Sequence, residues 1–267
     1  MACRYIASVK VQPPRTEIIQ DLAEMVNSAM DAYYWRNNKT TPGAIYFFRD
    51  GVSEGEFERV RQAELGAMKG KFSLNRAKVD WLLRYLLEGK YAALKLPRPP
   101  ITFIIVGKRH HFRFFPEKRD EDRTGNCRSG LVVDQSFSSK EIVTTGITHP
   151  IYQDFYLQSQ AGLKGTSVPS HYTIIEDENY GFSANHLQEL AYSLCHCYSR
   201  ATRAVKIPAP VYYADLVCRR AKFHYDPDMY EELSAQSETS DDGVHLDFYK
   251  KKFSPINERM KTYMYFL

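Results

Sequence analysis

Long apolar runs are missing from this chain of 267 residues, and none approaches the roughly 20 residues that cross a bilayer. The opening "MACRYIASVKVQPP" has no apolar core of a secretion signal, so neither a spanning nor a secreted protein is expected. Cysteine is scarce: five, an odd number without a regular framework. That excludes a disulfide scaffold and points to a reducing compartment, the cytoplasm with room for a nuclear pool. Cys195 and Cys197 lie two apart on a predicted helix and point to different sides, which favours buried free thiols over a zinc pair. Charge imbalance is small, +4, so only local clustering of basic side chains can speak for a polyanionic partner. Internal repeats are absent, and no linker is strong enough to split the chain.

What is present is ordinary globular stock, 43% hydrophobic and 25% charged, enough for a substantial core. The 19 tyrosines and 15 phenylalanines suit base stacking and core packing equally. "RYIASVKVQ" (4–12) reads as a strand stopped by Pro13-Pro14. Ile18, Leu22, Met25, Ala29 and Tyr33 share one face of a helix expected over 17–36. "AIYFFR" (44–49) and "ITFIIVG" (101–107) are near-continuous apolar runs of the kind buried on both faces of a parallel sheet. Ser53 and Glu56 form an S-x-x-E capping box for a helix reaching about Met68.

Further on, 79–87 fits a helix, and "GLVVD", "DFYLQ" and "HYTII" are shorter strands. A long helix is expected over 183–202, with Leu187, Leu190, Ala191, Leu194 and Tyr198 inward, and another opening at Pro210. The alternation predicts an α/β fold with a mostly parallel sheet. The polar, acidic 234–243 reads as a mobile surface loop.

Asp50 closes an apolar strand and precedes Gly51 in "FFRDGVSEGEF". Alone, such an aspartate is more often a turn residue. That segment, with "RTEIIQDL", "IIVGKRHHFRFF", "THPIYQDFYLQSQAGLKGTSVPSHYTIIEDEN", "LAYSLCHCYSRATRAVKIPAPVYYADLVCRRAKFH" and the terminal "MYFL", resembles the PIWI domain of eukaryotic Argonautes. The likeness runs over essentially the whole of 1–267; the stretch 70–97 is longer than the family's and reads as an insertion.

The resemblance implies a ribonuclease H-like PIWI fold, a mixed sheet flanked by helices, that holds a guide RNA and can cut the target RNA paired to it with magnesium. Magnesium seeks oxygen ligands, and a pair of ions serves both sides of a phosphodiester. The resemblance assigns catalytic places to Glu17, Asp50 and Asp215, with Asp50 and Asp215 as metal ligands. Glu17 reads equally well as a first-turn helix glutamate, and Asp215 alone would be a solvated helix residue. The family's first aspartate, in a "G-x-D-V-x-H-P"-like segment, is expected before Met1. The chain therefore reads as N-terminally truncated, with an incomplete metal site, an open edge on "AIYFFR" and the other Argonaute domains upstream.

Two basic clusters match the family's nucleic-acid contacts: Lys108, Arg109, His111 and Arg113 after the second apolar strand, and Tyr198, Arg200, Arg203, Lys206, Tyr212 and Arg220 further on. Arg200 and Arg203, three apart on a predicted helix, would share a face. Tyr198 also fits that helix's core stripe. Lys206 stands where the family has a small polar residue, and Val168 where it often has an arginine. Three readings follow: a guided RNA endonuclease with a crippled site, a non-catalytic RNA-binding module, or a piece of a longer chain that has no function alone.

Overall fold

The computed structural model describes residues 4–69, 98–134, 151–162, 164–179, 184–226, 242–257, 259–261 and 263–267. The insertion 70–97 with its expected helix, and 234–241 of the expected loop, lie outside these residues. Asp242 and Gly243 open a helix rather than closing a loop.

Among the described residues five strands build one sheet: β1 (Ile45–Asp50), β2 (Ile101–Gly107), β3 (Leu131–Asp134), β4 (Gln153–Gln158) and β5 (Ser170–Asp177). Their spatial order is β1-β2-β5-β4-β3. Among the described strands only β1 and β2 run parallel; the other pairs are antiparallel, which corrects the expectation of a mostly parallel sheet. The helices are α1 (Leu22–Arg36), α2 (Phe57–Val60), α3 (Gly66–Met68), α4 (Ala184–Cys195), α5 (Ala209–Arg220) and α6 (Asp242–Lys252). None is long and apolar enough to cross a membrane among the described residues.

The second strand is the spine. Its alternating side chains feed two cores, as a period of two requires. Ile101, Phe103 and Ile105 pack on one face with Leu22, Phe57, Val60, Leu65 and Met68. Ile104 and Val106 pack on the other with Phe155, Leu157, Tyr172, Leu187, Ala191, Ile207 and Val211. Helices thus cover both faces. In contrast, every residue of β1 is only half-buried, because it pairs on one side alone and forms the sheet edge among the described residues.

Several local readings change. Residues 4–12 form no strand, since no neighbouring strand pairs with them among the described residues. The alternation in that segment is nevertheless used: Tyr5, Ala7 and Val9 pack on Ala209, Tyr213, Val217 and Phe266. Helix α1 starts at Leu22, so Glu17 lies in the loop before it and not in a first helical turn. The Ser53–Glu56 box makes no side-chain cap; the backbone N–H of Glu56 donates to the Ser53 carbonyl instead. Between α2 and α3 a π-helical turn, Arg61–Leu65, interrupts the α geometry before the expected end at Met68. Helix α4 ends at Cys195, where a tightened turn gives His196 N–H to Ser193 O and Cys197 N–H to Leu194 O. Tyr198, Arg200 and Arg203 therefore lie on the loop into α5, and the shared helical face expected for the two arginines does not exist.

Candidate nucleic-acid and metal site

The parallel register of β1 and β2 sets Asp50 opposite Val106, so both chains leave the sheet side by side. Gly51 turns the chain at once, with a left-handed φ of 68° that glycine adopts without strain. One residue beyond β2 comes Lys108. Helix α5 lies over this end of the sheet: Val211 is buried in one cluster with Ile104 and Val106, and Tyr46, Phe48 and Tyr212 each pack against that cluster. One turn later the same helix presents Asp215.

These three elements meet at one ammonium. Lys108 Nζ lies 2.6 Å from Asp50 Oδ2 and 3.5 Å from Asp215 Oδ2. Burial pulls the Lys108 ammonium down, but the hydrogen bond and charge of Asp50, with the weaker pull of Asp215, outweigh it and leave the pKa raised. The second Asp50 oxygen, Oδ1, is buried and has no hydrogen-bond partner among the described residues. A buried carboxylate oxygen without a partner is costly, and it marks a place where another ligand would be welcome. Oxygen donors of this kind suit a hard cation such as magnesium. Among the described residues, no group of three or more His, Cys, Asp or Glu side chains converges in a way that could hold a metal.

Glu17 does not join this pair. Its carboxylate lies 3.7 Å from Arg49 Nη2, and Arg49 also donates to the Glu17 carbonyl. Arg49 precedes Asp50 on the strand and so points to the opposite face. There its Nε is 3.0 Å from Oε2 of Glu64, a carboxylate that is fully buried. Glu64 also accepts the backbone N–H of Ile19, tying the 17–19 loop down. Glu64 escaped the sequence reading because a glutamate in "RQAELGAM" looks like a solvated helix residue; only the π turn and the arginine explain its burial.

The basic residues divide into groups. Arg109, His111 and Arg113 are exposed on the loop after β2. Arg113 Nη1 donates to the Phe112 carbonyl at 2.7 Å, which stiffens that loop. Lys206 donates from Nζ to the Lys108 carbonyl at 3.2 Å. Burial first, then Arg113 and Lys108, push its pKa down, so it sits in a surplus of positive charge. Tyr198, Arg200, Tyr212, Asp215, Leu216 and Arg219 line a cleft of about 360 Å³. The Tyr198 and Tyr212 rings are 5.0 Å apart. Arg219 was not among the expected contacts, although its spacing of four from Asp215 put it on the same helical face. Arg203 is exposed outside this cleft, and Arg220 donates to the Leu267 carbonyl at 3.1 Å. That bond and the burial of Phe266 hold the C-terminus against α5.

Chemically, the arrangement offers a cation held between two carboxylates, next to a cleft with two arginines and two tyrosines. Arginine forks recognise phosphate, and aromatic rings stack on bases.

Known structures share this fold. The C-terminal lobe of a budding yeast Argonaute superposes with a TM-score of 0.72 at 31% identity, over 95% of this chain and 46% of that one. Kluyveromyces polysporus Argonaute, solved with a guide RNA, gives 0.72 and 31%, over 95% of this chain and 27% of that one. Drosophila Piwi gives 0.55 and 26%, over 73% and 23%. This chain spans less than half the length of each. The mixed, helix-flanked sheet is the ribonuclease H-like fold of the Argonaute PIWI region. The Piwi-domain family model matches residues 1–226, and the chain belongs to that family.

Proposed function

We propose that this chain is the guide-RNA-holding PIWI part of an Argonaute-type silencing protein, acting with further Argonaute domains on a target RNA. The observation that carries the reading is the adjacency of the cleft lined by Arg200, Arg219, Tyr198 and Tyr212 to the Asp50–Asp215 pair. Arg200, Arg203 and the loop residues Arg109, His111 and Arg113 neutralise backbone phosphates. Tyr198 and Tyr212 present ring faces to the strand. Lys206 adds positive charge at the floor between the two clusters.

Asp50 and Asp215 are the residues that would hold magnesium, the open Asp50 Oδ1 being the oxygen with most to gain. When bound, the ion supplies activation of water at a phosphodiester and stabilisation of the leaving oxygen. Holding the RNA in line with those carboxylates is the work of the arginines and tyrosines. A second reading, a binding module that does not cut, is favoured by Glu17 being engaged with Arg49 on the other strand face.

Binding of single-stranded RNA to the 267-residue chain, followed by fluorescence anisotropy across salt concentrations, tests the proposal. Affinity should fall linearly on a log–log plot. Arg200→Ala should weaken binding to all sequences alike and reduce the salt slope by about one. A soluble, cooperatively unfolding chain without RNA affinity at low salt would refute it.

A further inference from the structure

The most unusual group in the site is the amine between the two carboxylates. Lys108 Nζ is within 2.6 Å of Asp50 and 3.5 Å of Asp215, and no other cation bridges these two among the described residues. Two half-buried carboxylates brought together by β1 and α5 repel each other unless a positive charge sits between them. The ammonium supplies that charge. Its contact is with Oδ2, and Asp50 Oδ1 stays buried without a hydrogen-bond partner among the described residues. A divalent ion at the same place would carry twice the charge and could draw on the orphan oxygen as well.

We propose that Lys108 is the resident cation of the Asp50–Asp215 pair, and that a divalent ion binds these carboxylates only by displacing its ammonium. Lys108 is thus a gate on metal loading, in addition to any contact it makes with phosphate. The inference rests on the reading of Asp50 and Asp215 as metal ligands. Displacement is sterically simple. The lysine stem is flexible, its side chain is one-third exposed, and it opens the loop that carries Arg109, His111 and Arg113 into solvent. Lys206 does not take its place, since that amine is bonded to the Lys108 carbonyl.

The test is manganese binding to the whole chain, read by electron paramagnetic resonance and calorimetry without RNA. Lys108→Gln should bind the ion at least about tenfold more tightly than the unmodified chain. Lys108→Arg keeps a cation in place and should behave like the unmodified chain. Adding Asp50→Asn to Lys108→Gln should abolish the gain. Equal, Asp50-dependent affinity with and without Lys108 would overturn the gate while leaving the metal reading intact. Absence of Asp50-dependent binding in every variant would overturn both.

Should Lys108→Gln fail to fold, the unmodified chain decides the matter. Its lysines are reductively methylated with carbon-13, and the Lys108 signal is identified by its loss in Lys108→Arg. Magnesium should move that signal, and should not in Asp50→Asn. An unmoved signal at a magnesium concentration that saturates binding overturns the proposal.

Discussion

Arg49 and Asp50 are neighbours on one strand and live in opposite electrostatic worlds. Arg49 turns to the face under α2 and α3, where Nε reaches both oxygens of Glu64, at 3.2 and 3.0 Å, and other nitrogens reach the carbonyls of Glu17 and Asp50. Glu64 is completely buried and also takes a backbone N–H. Asp50 turns to the other face, where it is partly exposed, shares an amine with a second carboxylate, and keeps an oxygen unpartnered among the described residues. The first pair is closed; the second keeps an oxygen without a partner among the described residues. Closed ion pairs hold structure, and open carboxylates in perturbed surroundings are candidates for binding and chemistry.

The difference can be broken most forcefully at Glu64. Glu64→Gln leaves the Arg49 guanidinium buried against a neutral partner, and a loss of about 3–5 kcal/mol in urea-denaturation stability is expected. The 17–19 loop, which Glu64 anchors through Ile19, should become the fastest-exchanging part of that region in hydrogen exchange.

An intermediate case sharpens the contrast. Glu178, at the far end of β2, accepts from Arg98 and from the backbone N–H of Ile101, and lies 2.8 Å from Lys69. Burial alone would raise its pKa. The hydrogen bonds from Arg98, Lys69 and Ile101 outweigh that and lower it from 4.5 to about 2. The folded value is depressed, so its stabilisation is complete above the unfolded pKa and disappears as pH falls from about 4.5 to about 2. Glu178→Gln should therefore cost up to about 3 kcal/mol near neutral pH. Comparing the denaturation midpoints of both chains down the pH scale should show that gap closing in this window.

At the small end stands Asp50→Asn. Because the Lys108–Asp50 contact is about one-third exposed, its removal should change stability by no more than about 1 kcal/mol in either direction. The same substitution should nevertheless eliminate divalent-ion binding at this site. A large loss of stability here would make Asp50 a second structural anchor and erase the contrast with Glu64.

Much of this layout is legible in the sequence. The strand at 101–107 and its two-sided burial follow from an uninterrupted apolar run, and the position of Asp50 at a strand end follows from the glycine after it. Residues 4–12 and 101–107 both read as strands, yet only the second becomes one. Hydrogen-bond pairing depends on a neighbour that local sequence does not reveal, whereas side-chain alternation does not. The helix expected to carry Arg200 and Arg203 ended early for a related reason. Apolar spacing continued to Tyr198, but the chain tightened after Cys195 and gave Val205 N–H to the Cys195 carbonyl.

By itself the sequence determined which residues could serve: carboxylates at a strand end and on a helix, and basic residues after a buried strand. Periodicity and turn chemistry are local, and they survive without knowledge of neighbours. Only the tertiary structure decided the pairings: that Lys108 bridges Asp50 and Asp215, that Glu64 is buried to receive Arg49, that Glu17 stays with Arg49, and that Arg219 joins the cleft. Each pairing joins segments distant along the chain, and their meeting is set by sheet order and helix packing, quantities that no short stretch of residues carries.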